Sequence, residues 1–174
     1  MTYATAALAR VGSGWFGDEL ELDEVEDLDG VVELLREVVG DDADTALLFV
    51  EEDDEWFAVL RVDSDGEPRV FVSDARVIAS SHIAALFAEA AIESAGDDDL
   101  DDDDDENPDD DEEDEGTRAD GDPTGDPALL GDLGTSPARL LELCAEEGLL
   151  PSDVITELCE AAGCLDVLDK LRGV

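Results

Sequence analysis

Asp44-Thr45-Ala46-Leu47-Leu48-Phe49-Val50-Glu51-Glu52-Asp53-Asp54-Glu55-Trp56-Phe57-Ala58-Val59-Leu60-Arg61-Val62 sets two apolar, β-rich runs on either side of an acidic turn. Ala46 to Val50 and Trp56 to Val62 read as paired strands. A second turn at Asp63-Ser64-Asp65-Gly66 leads to Val70-Phe71-Val72, which completes an antiparallel meander. Upstream, Tyr3 to Val11 reads as a strand, and Gly12-Ser13-Gly14 turns it into a short partner at Trp15 to Leu20. Between hairpin and meander, Leu28, Val31, Val32, Leu35, Val38 and Val39 recur at helical spacing, with Asp27 or Asp29 as N-cap and Gly40 just past the end. After the meander, Ser73 or Asp74 opens a helix carrying Val77, Ile78, Ile83, Leu86, Phe87 and Ala90. The order β-β-α-β-β-β-α predicts an α+β fold: an antiparallel sheet of about five strands with two helices on a face.

Charge divides the rest of the chain. The 174 residues carry 52 Asp and Glu against 9 Lys and Arg, a net of −43. Residues 96–126 hold 19 of the acids and one Arg, and Leu100 is their only large apolar side chain. Such a segment cannot bury enough surface to offset the entropy of ordering, so a disordered, self-repelling acidic linker is expected there. It separates an α+β domain at residues 1–95 from a small C-terminal piece at 127–174. That piece reads as three short helices: one carries Leu140, Leu141, Leu143 and Cys144, the next starts at Pro151, and the last runs from Leu165 to Leu171. Fewer than 50 residues make a marginal domain, so docking of these helices on the sheet or on a partner is expected.

The same charge argues against direct binding to nucleic acid or to an anionic membrane. No leader and no membrane-spanning run are recognised, and Cys144, Cys159 and Cys164 sit at helix-like spacing as reduced thiols, which together indicate a cytoplasmic protein. Gly12-Ser13-Gly14-Trp15-Phe16-Gly17 matches a dinucleotide-binding pattern literally. Its context is wrong, because Asp18-Glu19-Leu20-Glu21 follows where a phosphate-cradling helix should open, and a hairpin turn is the better reading. His82 is the sole histidine and belongs to the exposed flank of a helix. No catalytic residue, metal site or cofactor is expected. What remains is a candidate partner contact at Glu51, Glu52, Asp53, Asp54 and Trp56. Trp56 and Phe57 face opposite ways on a strand, so either one ring is exposed among carboxylates to meet Arg or Lys, or helices cover both.

The Asp44 to Val62 stretch, together with Pro68-Arg69-Val70-Phe71-Val72-Ser73-Asp74, resembles the tRNA adenosine deaminase-associated protein family of actinobacteria. Glu21-Leu22-Asp23-Glu24-Val25-Glu26-Asp27-Leu28 and Cys144-Ala145-Glu146-Glu147-Gly148-Leu149-Leu150-Pro151 are similar to it as well. The resemblance implies an association with the deaminase and brings no active site. The chain is not the deaminase itself: the zinc enzyme needs H-x-E and P-C-x-x-C, whereas Ile83-Ala84 follows His82 and no cysteines have that spacing. The expected function is a non-catalytic cytoplasmic accessory protein that binds a basic protein partner, with the tRNA adenosine deaminase as first candidate. The alternatives are a small carboxylate-dependent enzyme and an acidic protein of unrelated function.

Overall fold

A computed structural model describes residues 3–64, 66–96 and 123–173. Most of the stretch expected to be an acidic linker, residues 97–122, lies outside the described residues. The described chain builds one antiparallel sheet in the order β2-β1-β3-β4-β5-β6. Its strands are β1 (Tyr3–Val11), β2 (Gly14–Asp18), β3 (Thr45–Glu52), β4 (Trp56–Asp63), β5 (Arg69–Val72) and β6 (Thr124–Gly125). The helices are α1 (Leu28–Val39), α2 (Val77–Ser80), α3 (His82–Gly96), α4 (Pro137–Ala145), α5 (Pro151–Ala162) and α6 (Leu165–Arg172). The α+β class and the meander stand as expected. The sheet gains a sixth strand, β6, from residues assigned to the linker.

Gly12-Ser13-Gly14 does form a hairpin turn rather than a phosphate loop, with β1 and β2 paired from Val11–Gly14 to Ala7–Asp18. Asp27 caps α1 by accepting the Gly30 N–H at 2.8 Å, and Gly40 ends it with φ 81°. The helix expected from Val77 to Ala90 breaks at Ser81, whose backbone is extended. Ser81 explains the break: its hydroxyl accepts the Ala84 N–H and so caps α3, while donating to the carboxylate of Glu52 at 3.1 Å.

Helices cover both faces of the sheet, not one. Ala46, Leu48 and Val50 of β3 point into a core shared with α1 and α3, whereas Leu47 and Phe49 point into a second core shared with α4, α5 and α6. A strand buried on both sides has no reason to alternate polar and apolar residues, and the runs in β3 and β4 do not. Both cores are needed because three C-terminal helices of this size cannot bury their apolar faces on one another. At the α5–α6 corner the Cys164 N–H reaches the Cys159 carbonyl at 2.9 Å across Gly163, a Schellman turn whose apolar contact is the two buried thiols.

Arg61 fastens the C-terminal layer to the sheet. It is 5% exposed, in the middle of β4. Its guanidinium donates to the Leu129 carbonyl at 2.6 Å, to Asp63 at 3.0 Å, and to both oxygens of Asp132. Arg69, opposite it on β5, pairs with Asp63 and Asp126 at 3.6 Å each. These carboxylates let two arginines sit side by side on the sheet.

Strand β6 is possible only because residue 125 is glycine. Its φ is 103°, and a Cβ there would stand 2.2 Å from the Val70 carbonyl oxygen, against which the backbone is pressed. Gly125→Ala should therefore destabilise the fold by about 1–3 kcal/mol. Urea unfolding monitored by tryptophan fluorescence would measure the shift in midpoint.

Candidate acidic interface at the sheet end

Five consecutive acids, Glu51 to Glu55, cross from β3 to β4 at one end of the sheet. The Glu55 N–H returns to the Glu52 carbonyl at 3.0 Å, which closes a tight turn around Asp53 and Asp54. Both have positive φ, 52° and 57°, the left-handed geometry that hairpin turns assign to Gly, Asn and Asp. The turn thus presents two exposed carboxylates in a backbone conformation that aspartate tolerates.

The five residues singled out from sequence do not share one fate. Asp53 and Asp54 are exposed at the tip, and Glu55, not singled out, is exposed beside them. Glu52 is 6% exposed and points the other way, to Ser81, so it anchors α3. Trp56 is 1% exposed and Phe57 2%. The exposed ring considered for partner contact does not exist: Trp56 enters the core under α1 and α3 and Phe57 the core under the C-terminal helices. Both rings are covered for the reason already given, that the sheet is sandwiched.

Glu51 is the unusual member. It lies on the face covered by the C-terminal helices, in register with Ala4 and Phe57, and one of its carboxylate oxygens, Oε2, is buried with no hydrogen-bond partner. Burial pushes its carboxyl above the ordinary glutamate value. Arg172 opposes that shift, while Asp54 and Asp153 add to it.

Hollows flank the tip. One of about 200 Å³ opens between β1, β3, α5 and α6, with Phe49, Ile155 and Leu171 as apolar walls and Glu19, Glu51 and Arg172 as charged groups. Another of about 250 Å³ lies across the start of α5, floored by Phe57, Leu149 and Val154 and rimmed by Asp54, Glu55 and Asp74. Asp74 receives the Arg76 guanidinium at 2.7 Å, and that hydrogen bond holds its carboxyl below the usual aspartate range. Carboxylates over apolar floors suit long cationic side chains, which need an apolar bed for their methylenes and an anion for their heads.

Little else at this end is chemically reactive. Burial pushes the Cys144 thiol, which lines the second hollow, up to about 12, so it stays protonated. Hydrogen bonding to Cys164 and burial raise Cys159, and all three cysteines are free thiols. Among the described residues no three His, Cys, Asp or Glu side chains are grouped to hold a metal ion. None of the described helices is long and apolar enough to cross a membrane. His82 is exposed at the start of α3.

Neither a curated protein nor a solved structure matches the chain. A family model does, described as Rv3753c-like tRNA adenosine deaminase-associated protein, over residues 3–165. The match takes in the whole sheet, the acidic tip and every helix up to the first residue of α6. The chain belongs to the Rv3753c-like tRNA adenosine deaminase-associated protein family.

Proposed function

We propose that this protein is a non-catalytic accessory factor of the cytoplasm that binds a basic protein partner, with the tRNA adenosine deaminase as first candidate, through the acidic end of its sheet. The observation that carries this reading is the tight turn that presents Asp53 and Asp54 beside Glu51 and Glu55, above hollows with apolar floors. An enzyme that grips tRNA must offer a positive surface, and a chain at −43 is complementary to such a surface. Docking there would compete with tRNA for the free enzyme.

Mixing the purified proteins at low and at high salt tests the reading. A complex is expected at low salt and should weaken as salt rises, because the Debye length shortens from ~30 Å at 0.01 M to ~8 Å at 0.15 M. Absence of a complex at low salt removes the deaminase as partner. Residues 97–122 contribute 18 of the acids and one Arg, so their deletion should slow association and flatten its salt dependence. An unchanged salt slope would leave that segment as a spacer.

A further inference from the structure

Strand β2 closes one side of the sheet, and among the described residues only β1 pairs with it. The direction of its remaining backbone groups follows from the ladder. The Arg10 carbonyl turns towards β3, where it accepts the Asp44 N–H at 2.9 Å, so Ala9 and Val11 turn towards β2. Their partners there are Phe16 and Gly14, which leaves Trp15 and Gly17 with N–H and C=O facing outward. Edge strands are commonly blunted by a charge or a proline, yet the middle of β2 is Trp15-Phe16-Gly17. Apolar surface lies at the same place. Among the described residues four large apolar side chains are exposed, and two of them, Val11 at 41% and Phe16 at 39%, are diagonal neighbours on one face of this hairpin. Gly14, opposite Val11, leaves the space beside them open: a Cβ there would meet nothing closer than 3.9 Å.

We infer that β2 takes a further strand, an extended segment of a basic protein partner in which apolar residues alternate with Arg or Lys. The inference rests on the basic-partner reading above and adds a second contact, separated from the acidic tip by β1, together with the backbone shape the partner brings to it. Outward N–H and C=O groups on alternate residues are matched by another strand and not by a helix, whose own groups are paired internally. The alternation follows from the two faces. On one, Phe16 and Val11 offer apolar contact. On the other, the half-buried ring of Trp15 suits a cation, and Glu19 follows at the end of the strand. Charge sets the sign of the occupant. Residues 10–27, which build the edge and the connection after it, hold seven acids against Arg10 alone, and Arg10 donates to the Gly12 carbonyl at 3.2 Å. A second copy of the chain would add its own acids to these, whereas a basic segment is attracted by them.

The test is an NMR titration of the isotopically labelled full chain with a capped pentapeptide of alternating Lys and Val. Hydrogen exchange should slow at the Trp15 and Gly17 amides and stay as it was at Phe16, whose N–H is already held by β1. Phe16→Thr, at an exposed position and with strand propensity kept, should weaken binding on the order of tenfold, and Val11→Thr should weaken it less. A pentapeptide of the same residues with its lysines in one block keeps the charge and loses the alternation, so it should bind more weakly. Equal binding of the two peptides, or protection that does not alternate along β2, would overturn the inference. So would slow exchange at Trp15 and Gly17 that depends on protein concentration without peptide, because the occupant would then be a second copy. The deaminase provides a second arm. If it binds Phe16→Thr as tightly as the parent and the peptide leaves the edge untouched, the inference fails and the basic-partner reading survives. If the peptide pairs with the edge and the deaminase does not bind, the edge stands and the deaminase is not its source.

Discussion

Removing residues 127–174 is expected to abolish cooperative folding of the rest of the chain. The reason is the second core. Leu8, Leu47, Phe49, Phe57, Val59 and Phe71 are each at most 2% exposed, and all six are covered by the C-terminal layer. Returning each to water costs roughly 1.5–3 kcal/mol, so together they amount to about 9–18 kcal/mol, as much as the whole stability of a typical domain. The truncated protein should bind a hydrophobic dye and show no sigmoidal unfolding transition in urea. A chain ending at residue 126 that unfolds cooperatively at the parent's midpoint would show that the sheet does not depend on its C-terminal cover.

The second large effect is expected from Arg61→Ala. The substitution removes the donors that hold Leu129 and Asp132 against β4 and leaves Asp63 with Thr45 and Arg69 as its partners. Asp132 can return to water, because its side chain is 63% exposed, so the loss falls mainly on the buried end of the network. A destabilisation of about 2–3 kcal/mol is expected, with Arg61→Met milder because it keeps the packing volume. Hydrogen exchange should quicken at residues 129–133 before it does in β3. The hydrogen bond from Arg61 holds the Asp132 carboxyl below its ordinary value. A depressed folded-state value makes that share of stability present above the unfolded aspartate value of ~3.9 and lost as pH falls through the lower folded one. The difference between parent and variant should therefore narrow in acid.

Much of this fold could be read from residue spacing. The meander, the hairpin at Gly12-Ser13-Gly14, the capping of α1 by Asp27 and Gly40, and the C-terminal helices all follow from local signals that tertiary contacts do not override. The two-sided burial was harder to see, though its trace is present: β3 and β4 lack the alternation of a half-exposed strand. Arg61 was a second trace, since a lone arginine within an apolar strand must find a carboxylate. Its partner Asp132 lies 71 residues away, beyond the reach of any spacing rule. Strand β6 was hidden by composition: Thr124 and Gly125 follow an acidic tract and have no strand signature of their own, and they are placed by pairing with Val72 and Phe71. The break at Ser81 depends on Glu52, a contact between elements that periodicity does not register.

The acidic turn was legible as a candidate, but its internal division was not. Five adjacent acids look alike in sequence, whereas strand alternation sends Glu51 to one core, Glu52 to the other, and leaves Asp53, Asp54 and Glu55 in solvent. That division separates the account from a simpler one in which −43 acts as a diffuse field. Two charge-matched variants distinguish them: Asp53→Asn with Asp54→Asn and Glu55→Gln at the tip, and Asp29→Asn with Glu33→Gln and Glu37→Gln on the exposed side of α1. Both carry three fewer negative charges. The deciding measurement is the affinity of each for the tRNA adenosine deaminase at one fixed low salt concentration. Weaker binding by the tip variant, with the α1 variant close to the parent, is the predicted result. Equal weakening of the two would contradict a localised interface and leave only the charge of the chain as a whole.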